Sequence, residues 1–165
     1  MKIIAKDNEV TFNDNTLLVT KTDLKGKITY ANRDFIKIVK MREHELIGKP
    51  HNIVRHPDMP KVIFKLLWNY LKDGKEINAY VKNLCSDGSY YWVFANVTPS
   101  YFDNKVVGYH SARSKPDPKK LDLIIPLYKE LLAIEKSGGV EASFTKMMEI
   151  LDEKGVRYDE FILTI

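Results

Sequence analysis

The sequence predicts an α+β domain: a five-stranded antiparallel sheet with short helices and one long helix on one face, followed by a C-terminal helical extension. Two β-prone segments lie before residue 31, and three longer ones lie between residues 76 and 114. The helical part between them is flanked by hairpins that can share one sheet. KPDP, at 115–118, marks a boundary. The predicted divisions are an N-terminal cap (1–16), a main domain (17–115) and a C-terminal helical extension (116–165).

The first two strands form a hairpin near the N-terminus. LLVTKT, residues 17–22, is rich in β-prone residues, and Asp23 to Gly26 supply the turn that follows it. Ile28 and Tyr30 then alternate along the second strand. Two antiparallel strands therefore open the domain.

Two short helical segments and one long helix follow this hairpin. Asn32 is a suitable N-cap for RDFIKIVKM, and EHELIG forms a second short turn. The long helix, KVIFKLLWNYLKDG, is apolar nearly all round, because Phe64 and Trp68 add a second stripe to the main apolar face. Such a helix needs cover on two sides. It is either packed deep in the core or packed on one face with a bound ligand against the other.

Three longer strands come next. EINAYVKNLC and YYWVFANVTPSYF are joined by a turn that contains Asp87 and Gly88, and KVVGYHSARS follows a turn at Asp103 and Asn104. Beyond the boundary, two amphipathic helices are separated by the glycines at 138–139. This order of elements accounts for all five strands and for the extension.

A stiff, charged segment lies just ahead of the long helix. GKPHNIVRHPDMPKVIF crowds three prolines, two histidines, an arginine and an aspartate together. Pro57 pushes His56 out of helical geometry, and Asp58 is a natural N-cap for a helix that begins around Met59. The chain is therefore fixed in direction on both sides of Arg55, which lowers the entropy that this side chain would lose on binding a ligand.

Composition excludes several classes of function. The 165 residues are 44% hydrophobic and 29% charged, which is typical of a globular protein, and no stretch approaches the ~20 apolar residues of a membrane span. The net charge of +4 comes from basic residues spread among acids, so nucleic-acid binding is not indicated. One cysteine, Cys85, allows no internal disulfide and no multi-cysteine metal site. We expect a cytoplasmic protein that does not insert into the membrane.

Enzyme motifs are absent from the sequence. It contains no phosphate loop and no glycine-rich dinucleotide fingerprint after a strand, which excludes a Rossmann dehydrogenase. The four histidines lack zinc-binding spacing, and Cys85 has no recognisable partner for nucleophilic chemistry. We therefore expect no catalytic residues and no metal site.

Several strings carry a family resemblance: ITYAN, HNIVRHPDMP, VKN, DG followed by YYWV, and PLYK. Together with the order of elements, they resemble the PAS sensor domains of the bacterial aerotaxis receptor (Aer) type. The resemblance covers roughly residues 17–131 and extends to the stand-alone, CetB-like PAS proteins of bipartite energy-taxis systems. Leu84, Cys85 and Ser86 depart from the family, which carries basic residues after its VKN.

The resemblance implies non-covalent binding of FAD and sensing of its redox state. The residues that match the family's cofactor motif or its wider pattern are Arg55, His56, Asp58, Asn83, Asn32, Trp68, Tyr91 and Trp92. Their chemistry suits a flavin. Trp68 with Tyr91 or Trp92 can line a flat slot. The Asn83 amide can donate and accept at the ring edge, and Arg55 can bind phosphate oxygens.

Each of these residues also has a purely structural interpretation. Asp58 needs no ligand to act as a helix cap, and Trp68 fits an ordinary core position. Tyr91 and Trp92 are neighbours on a strand, so at most one of them faces the interior. Asn83 is compatible with an exposed strand position, and Arg55 with a surface ion pair.

The resemblance further implies a cytoplasmic energy-taxis sensor that signals through a separate, membrane-bound methyl-accepting chemotaxis-type transducer with a HAMP domain. Such a sensor associates with the membrane only through its partner, and a homodimer is compatible with it. The alternative is a cofactor-free PAS module for protein–protein interaction. The C-terminal helices either pack on the PAS sheet or dock on the partner. A blue-light adduct is not expected, because the segment before the long helix has no cysteine.

Overall fold

The computed structural model describes residues 2–165 and contains one five-stranded antiparallel sheet in the spatial order β2-β1-β5-β4-β3. The strands are β1 (Leu18–Asp23), β2 (Ile28–Ala31), β3 (Ile77–Leu84), β4 (Tyr90–Phe102) and β5 (Lys105–Ser114). The helices are α1 (Arg33–Val39), α2 (Glu43–Leu46), α3 (Lys61–Lys72), α4 (Pro118–Lys154) and α5 (Tyr158–Thr164), with a 3-10 turn at His51–Val54. The predicted α+β fold and its five-stranded antiparallel sheet are confirmed.

The register of the sheet decides which side chains meet on its inner face. In the β1–β5 pair, Thr20 lies opposite Ser111 and Leu18 lies opposite Arg113. In the β3–β4 pair, Asn83 lies opposite Tyr91. Because side chains alternate between faces, all of these residues point to the same side, towards α3.

Helix α3 begins at Lys61 rather than around Met59, and Asp58 does not cap it. Its N-cap is Pro60, which makes no side-chain cap hydrogen bond. The carboxylate of Glu135 instead accepts from the backbone N–H groups of Lys61 (2.8 Å) and Val62 (2.9 Å). The expected local cap is therefore replaced by an acid 74 residues further along the chain.

The C-terminal extension, residues 116–165, packs against β3 and α3. Gly139 has φ +79° and ψ −179°, so α4 is broken there and the chain folds back. The hydroxyl of Ser143 consequently reaches the Glu135 carboxylate at 2.9 Å. Of the two arrangements expected for these helices, the structure shows packing on the same domain.

Two tyrosines of the extension cover one edge of the sheet. Strand β3 is one of the two edge strands, and its Tyr80 and Asn78 carbonyls point away from β4. The Tyr128 hydroxyl donates to the Tyr80 carbonyl at 2.6 Å, and the Tyr158 hydroxyl donates to the Asn78 carbonyl at 2.9 Å. The backbone groups that would otherwise template pairing with another chain are thereby occupied.

Candidate functional site

A cavity of about 350 Å³ lies between the inner face of the sheet and α3. Helix α3 supplies an apolar wall, in which Trp68 packs edge-on against Tyr109 with ring centroids 5.3 Å apart. Apolar residues of β3 and β4 form the opposite wall. The apolar lining residues are Val54, Phe64, Leu67, Trp68, Leu71, Val81, Ala95, Val97 and Tyr109. A cavity with this lining suits a flat, largely apolar ligand.

A buried arginine lies at one end of this cavity. Arg113 is only 5% exposed, and its guanidinium donates to the Thr20 hydroxyl at 3.0 Å and to His51 Nε2 at 2.7 Å. Burial lowers its pKa to about 10. Arg113 forms no salt bridge with any residue that the structure describes. A buried cation without a carboxylate is costly, and it favours a ligand that brings negative charge or strong acceptors.

His51 is neutral in this arrangement. Its Nε2 atom accepts from Arg113 and lies 3.0 Å from the Thr20 hydroxyl, so it is the unprotonated nitrogen of the ring. Burial, followed by the positive charge of Arg113, lowers the pKa of His51 to about 3. His51 therefore stays uncharged beside the arginine at neutral pH.

Acidification is expected to destabilise the protein through His51. The folded-state pKa of about 3 lies below the ordinary value of 6.5, so the unfolded chain binds the proton more readily between these values. The contribution of His51 to the free energy of unfolding is therefore fully present above about pH 6.5. It decreases as the pH falls towards 3, by up to about 1 kcal/mol per pH unit. Urea unfolding from pH 7.5 to 4.5 should give a shallower pH dependence for His51→Gln than for the wild type. His44→Gln, at an exposed position, is the control, and equal slopes for H51Q and the wild type would contradict this assignment.

Two polar side chains in the cavity wall have no partner. Asn83 Nδ2 and Ser111 Oγ are buried, and neither forms a hydrogen bond within residues 2–165. Both residues line the cavity with Arg113. Buried polar atoms are rarely left unpaired in native proteins. This end of the cavity is therefore suited to a ligand edge rich in hydrogen-bond acceptors.

Arg55 lies where the cavity meets a second pocket of about 550 Å³, and it lines both. Its guanidinium stacks on the Phe64 ring with 4.3 Å to the centroid, and its backbone forms a bridge with Asn83. Arg55 makes no salt bridge among the described residues, which excludes the predicted alternative of a surface ion pair within this chain.

His56 lines the second pocket, whereas Asp58 lines neither that pocket nor the cavity. His56 is 4% exposed, and its Nδ1 accepts from the backbone N–H of Asp58 at 3.0 Å. Burial, followed by the charge of Lys82, lowers the pKa of His56. The Asp58 carboxylate pairs with Lys82 at 2.9 Å. These contacts hold the turn before α3 in place.

The remaining sequence-predicted residues are separated from the cavity lining. Asn32 caps α1 by accepting from Phe35 N, and its amide also binds the backbone at the start of β1, accepting from Val19 N and donating to the Leu17 carbonyl. Tyr91 faces inward, fully buried, with its hydroxyl unpaired, whereas Trp92 faces the opposite side of the sheet and packs on Tyr128. Asn32, Tyr91 and Trp92 are therefore not among the residues that line the cavity. The prediction that at most one of the two neighbouring aromatic residues faces inward is correct.

Sequence reasoning missed His51 and Arg113. The sequence did carry a pattern that points to Arg113. In KVVGYHSARS, Ser111 and Arg113 occupy the same face of the strand as the cavity-lining Tyr109. A charged residue at an inward position of a strand indicates a buried polar site. Without the pairing of β1 with β5, however, that face could not be identified as the inner one.

The fold and a match to a family profile together identify the family. The sequence profile of the PAS fold matches residues 28–112. The chain belongs to the PAS family. The matched segment runs from β2 to β5 and contains most of the cavity, so the cavity is that of a PAS domain.

Two curated relatives are similar to this PAS domain. The "Aerotaxis receptor" of Escherichia coli (strain K12) is 42% identical over 120 residues, which is 73% of this chain and 24% of the relative. The "Biofilm dispersion protein BdlA" of Pseudomonas aeruginosa is 25% identical over 87 residues, 52% of this chain and 21% of the relative. The chain thus spans about a quarter or less of the length of these relatives, and it is a PAS domain of the aerotaxis-receptor type.

Solved structures agree on the fold. The light-state structure of the blue-light photoreceptor Aureochrome1 LOV superposes with a TM-score of 0.59 at 20% identity, covering 66% of this chain and 88% of that one. The PAS domain of a protein from Colwellia psychrerythraea gives a TM-score of 0.56 at 21% identity, covering 62% and 89%. Within residues 2–165, no helix combines the length and apolar character needed to cross a membrane.

Proposed function

We propose that this chain is a cytoplasmic, FAD-binding PAS redox sensor for energy taxis, and that it signals through a separate, membrane-bound chemotaxis transducer of the methyl-accepting, HAMP-containing type. Its similarity to an aerotaxis receptor supports the sensory role. Its partner and its location rest on that resemblance, and the cofactor rests mainly on the cavity.

The observation that carries the cofactor proposal is an apolar slot with a buried, uncompensated cation and an unpaired amide donor at one end. Arg113 is a buried cation without a carboxylate partner, and Asn83 Nδ2 is a buried donor without an acceptor. The pyrimidine edge of a flavin offers carbonyl oxygens and ring nitrogens as acceptors, and its ring system is flat and largely apolar. The residues present therefore fit a flavin.

Each side chain has a distinct task towards such a ligand. A bound flavin would supply reversible electron uptake. The positive charge of Arg113 favours added negative charge at the polar end of the cavity, and neutral His51 holds the guanidinium in place. The Asn83 amide can donate or accept, so it can answer a change at the ring edge by reorienting. Arg55, which lines both the cavity and the second pocket, would bind the phosphate oxygens of such a ligand.

The colour of the purified protein tests this proposal. We expect a yellow protein whose flavin absorbance bleaches on reduction with dithionite, and a released cofactor that co-elutes with FAD rather than FMN. A colourless protein that stays unchanged after incubation with FAD would refute the sensor and would favour the cofactor-free interaction module. Co-purification with a detergent-solubilised chemotaxis transducer, compared between oxidised and reduced protein, tests the partner.

A further inference from the structure

The second pocket adjoins the cavity and is bounded on one side by the C-terminal extension. Arg55 and Asn52 line both spaces. The outer wall is formed by Leu132 and Glu135 of α4, which lie beyond the PAS match at residues 28–112. A ligand that leaves the cavity past Arg55 therefore enters a space that the PAS segment alone does not enclose.

We propose that this second pocket receives the adenosine diphosphate half of the flavin dinucleotide, so that the C-terminal extension selects FAD over FMN. This inference rests on the proposed function, because it requires the isoalloxazine ring to occupy the cavity. The binding site is then shared between the PAS segment and the extension, with Arg55 at the junction.

The charges around the junction suit a pyrophosphate. Arg55 makes no salt bridge among the described residues, although the Glu135 carboxylate lines the same pocket. Its stacking on Phe64 holds the guanidinium plane at the border of the two spaces. Lys61 adds a second cation to the pocket wall. Arginine and lysine side chains are the ordinary ligands of phosphate oxygens.

The acid in the pocket wall is already engaged by other donors. The Glu135 carboxylate accepts from Lys61 N, Val62 N and the Ser143 hydroxyl at 2.8 to 2.9 Å. These three donors hold it against the start of α3 rather than in a salt bridge with Arg55. The guanidinium remains available to an anionic ligand, and the wall is fixed in position.

The rest of the pocket offers apolar contact for a nucleoside. Ile53 and Leu84 lie on the PAS side, and Leu132 lies across from them on the extension. The Asn52 amide provides donors and an acceptor for a purine or a ribose. FMN ends at its single phosphate and would leave this wall unused, so contact with Leu132 should distinguish the two cofactors.

Leu132→Trp tests this inference in the full-length protein. The larger indole would project into the pocket and narrow it beside Arg55. The affinity for FAD should therefore fall by about tenfold or more, while the affinity for FMN should stay within about twofold. Leu123→Trp is the matched control, because Leu123 lies on the same helix and is 59% exposed. Both dissociation constants are measured by titrating FAD and FMN into apoprotein and following the quenching of flavin fluorescence.

A measurement on the wild type guards against a variant that does not fold. ADP should compete with FAD and leave the binding of riboflavin unchanged, because riboflavin would occupy only the cavity. Four results would overturn the subsite. In the wild type they are equal affinities for FAD and FMN, or no competition by ADP. In a folded L132W variant they are an unchanged affinity for FAD, or equal losses of affinity for FAD and FMN. Failure of all flavins to bind the wild type would overturn the proposed function itself, and the subsite with it.

Discussion

Replacing Arg113 with methionine is expected to raise the free energy of unfolding of the flavin-free protein by about 1 kcal/mol, and to lower its affinity for FAD by about tenfold or more. The guanidinium is 5% exposed and has no carboxylate partner among the described residues, so its desolvation is a cost that methionine avoids. Thr20 and His51, which lie 3.0 Å apart, can bond to each other once the arginine is gone. Urea unfolding of apoprotein and flavin titration measure the two effects.

The opposite signs of these two effects separate a ligand-binding role from a structural one. A residue that only supports the fold would lower both stability and flavin affinity when it is replaced, and that result would contradict the assignment. Arg33→Met is the control, since Arg33 is exposed on α1 and the variant changes the net charge by the same amount. It should leave both quantities within about 0.5 kcal/mol of the wild type.

Removing residues 116–165 is expected to yield an insoluble or self-associating protein. The extension contributes eight buried apolar or aromatic side chains: Ile124, Tyr128, Leu131, Met147, Leu151, Tyr158, Phe161 and Ile162. At about 2 kcal/mol each, their burial is comparable to the ~5–15 kcal/mol of total stability that a domain of this size has. The truncation also uncovers Trp92 and frees the β3 edge. Size-exclusion chromatography and circular dichroism of the truncated and intact proteins measure the result.

A double variant separates the edge from the apolar interface. Tyr128→Phe with Tyr158→Phe keeps both rings but removes the hydroxyls that cap the Tyr80 and Asn78 carbonyls. It should stay folded, lose about 1 kcal/mol per hydroxyl, and dimerise at high concentration. A truncated protein that is soluble and monomeric and melts at the same temperature as the intact chain would show that the extension contributes no stability.

Local patterns were sufficient to predict most of the architecture. The turns at Asp23–Gly26 and at Asp103–Asn104 carry their own signals, because glycine and asparagine accept the positive φ values that these turns need. β-prone segments joined by turns identified β3 to β5, and the glycines at 138–139 identified the break in α4. In each case the physical cause lies within a few residues of its effect.

The features that could not be predicted depend on residues that are distant in sequence. Asp58 has the side chain and position of a helix cap, but Glu135 approaches α3 from the extension, and Asp58 pairs with Lys82 instead. Arg113 and His51 meet only because β1 and β5 are neighbours in the sheet. Tertiary contacts of this kind override local preference, and a single sequence does not reveal them.

Strand β1 is synthesised first and β5 last, yet the two pair side by side in the sheet. The carbonyl of Leu18 and the guanidinium of Arg113 meet across this pair although they are 95 residues apart in the chain. Closing so long a loop costs more entropy than forming the hairpins of β3 with β4 and of β4 with β5. The cavity is therefore completed late in folding, and a nascent chain cannot capture a ligand there until residue 113 has left the ribosome.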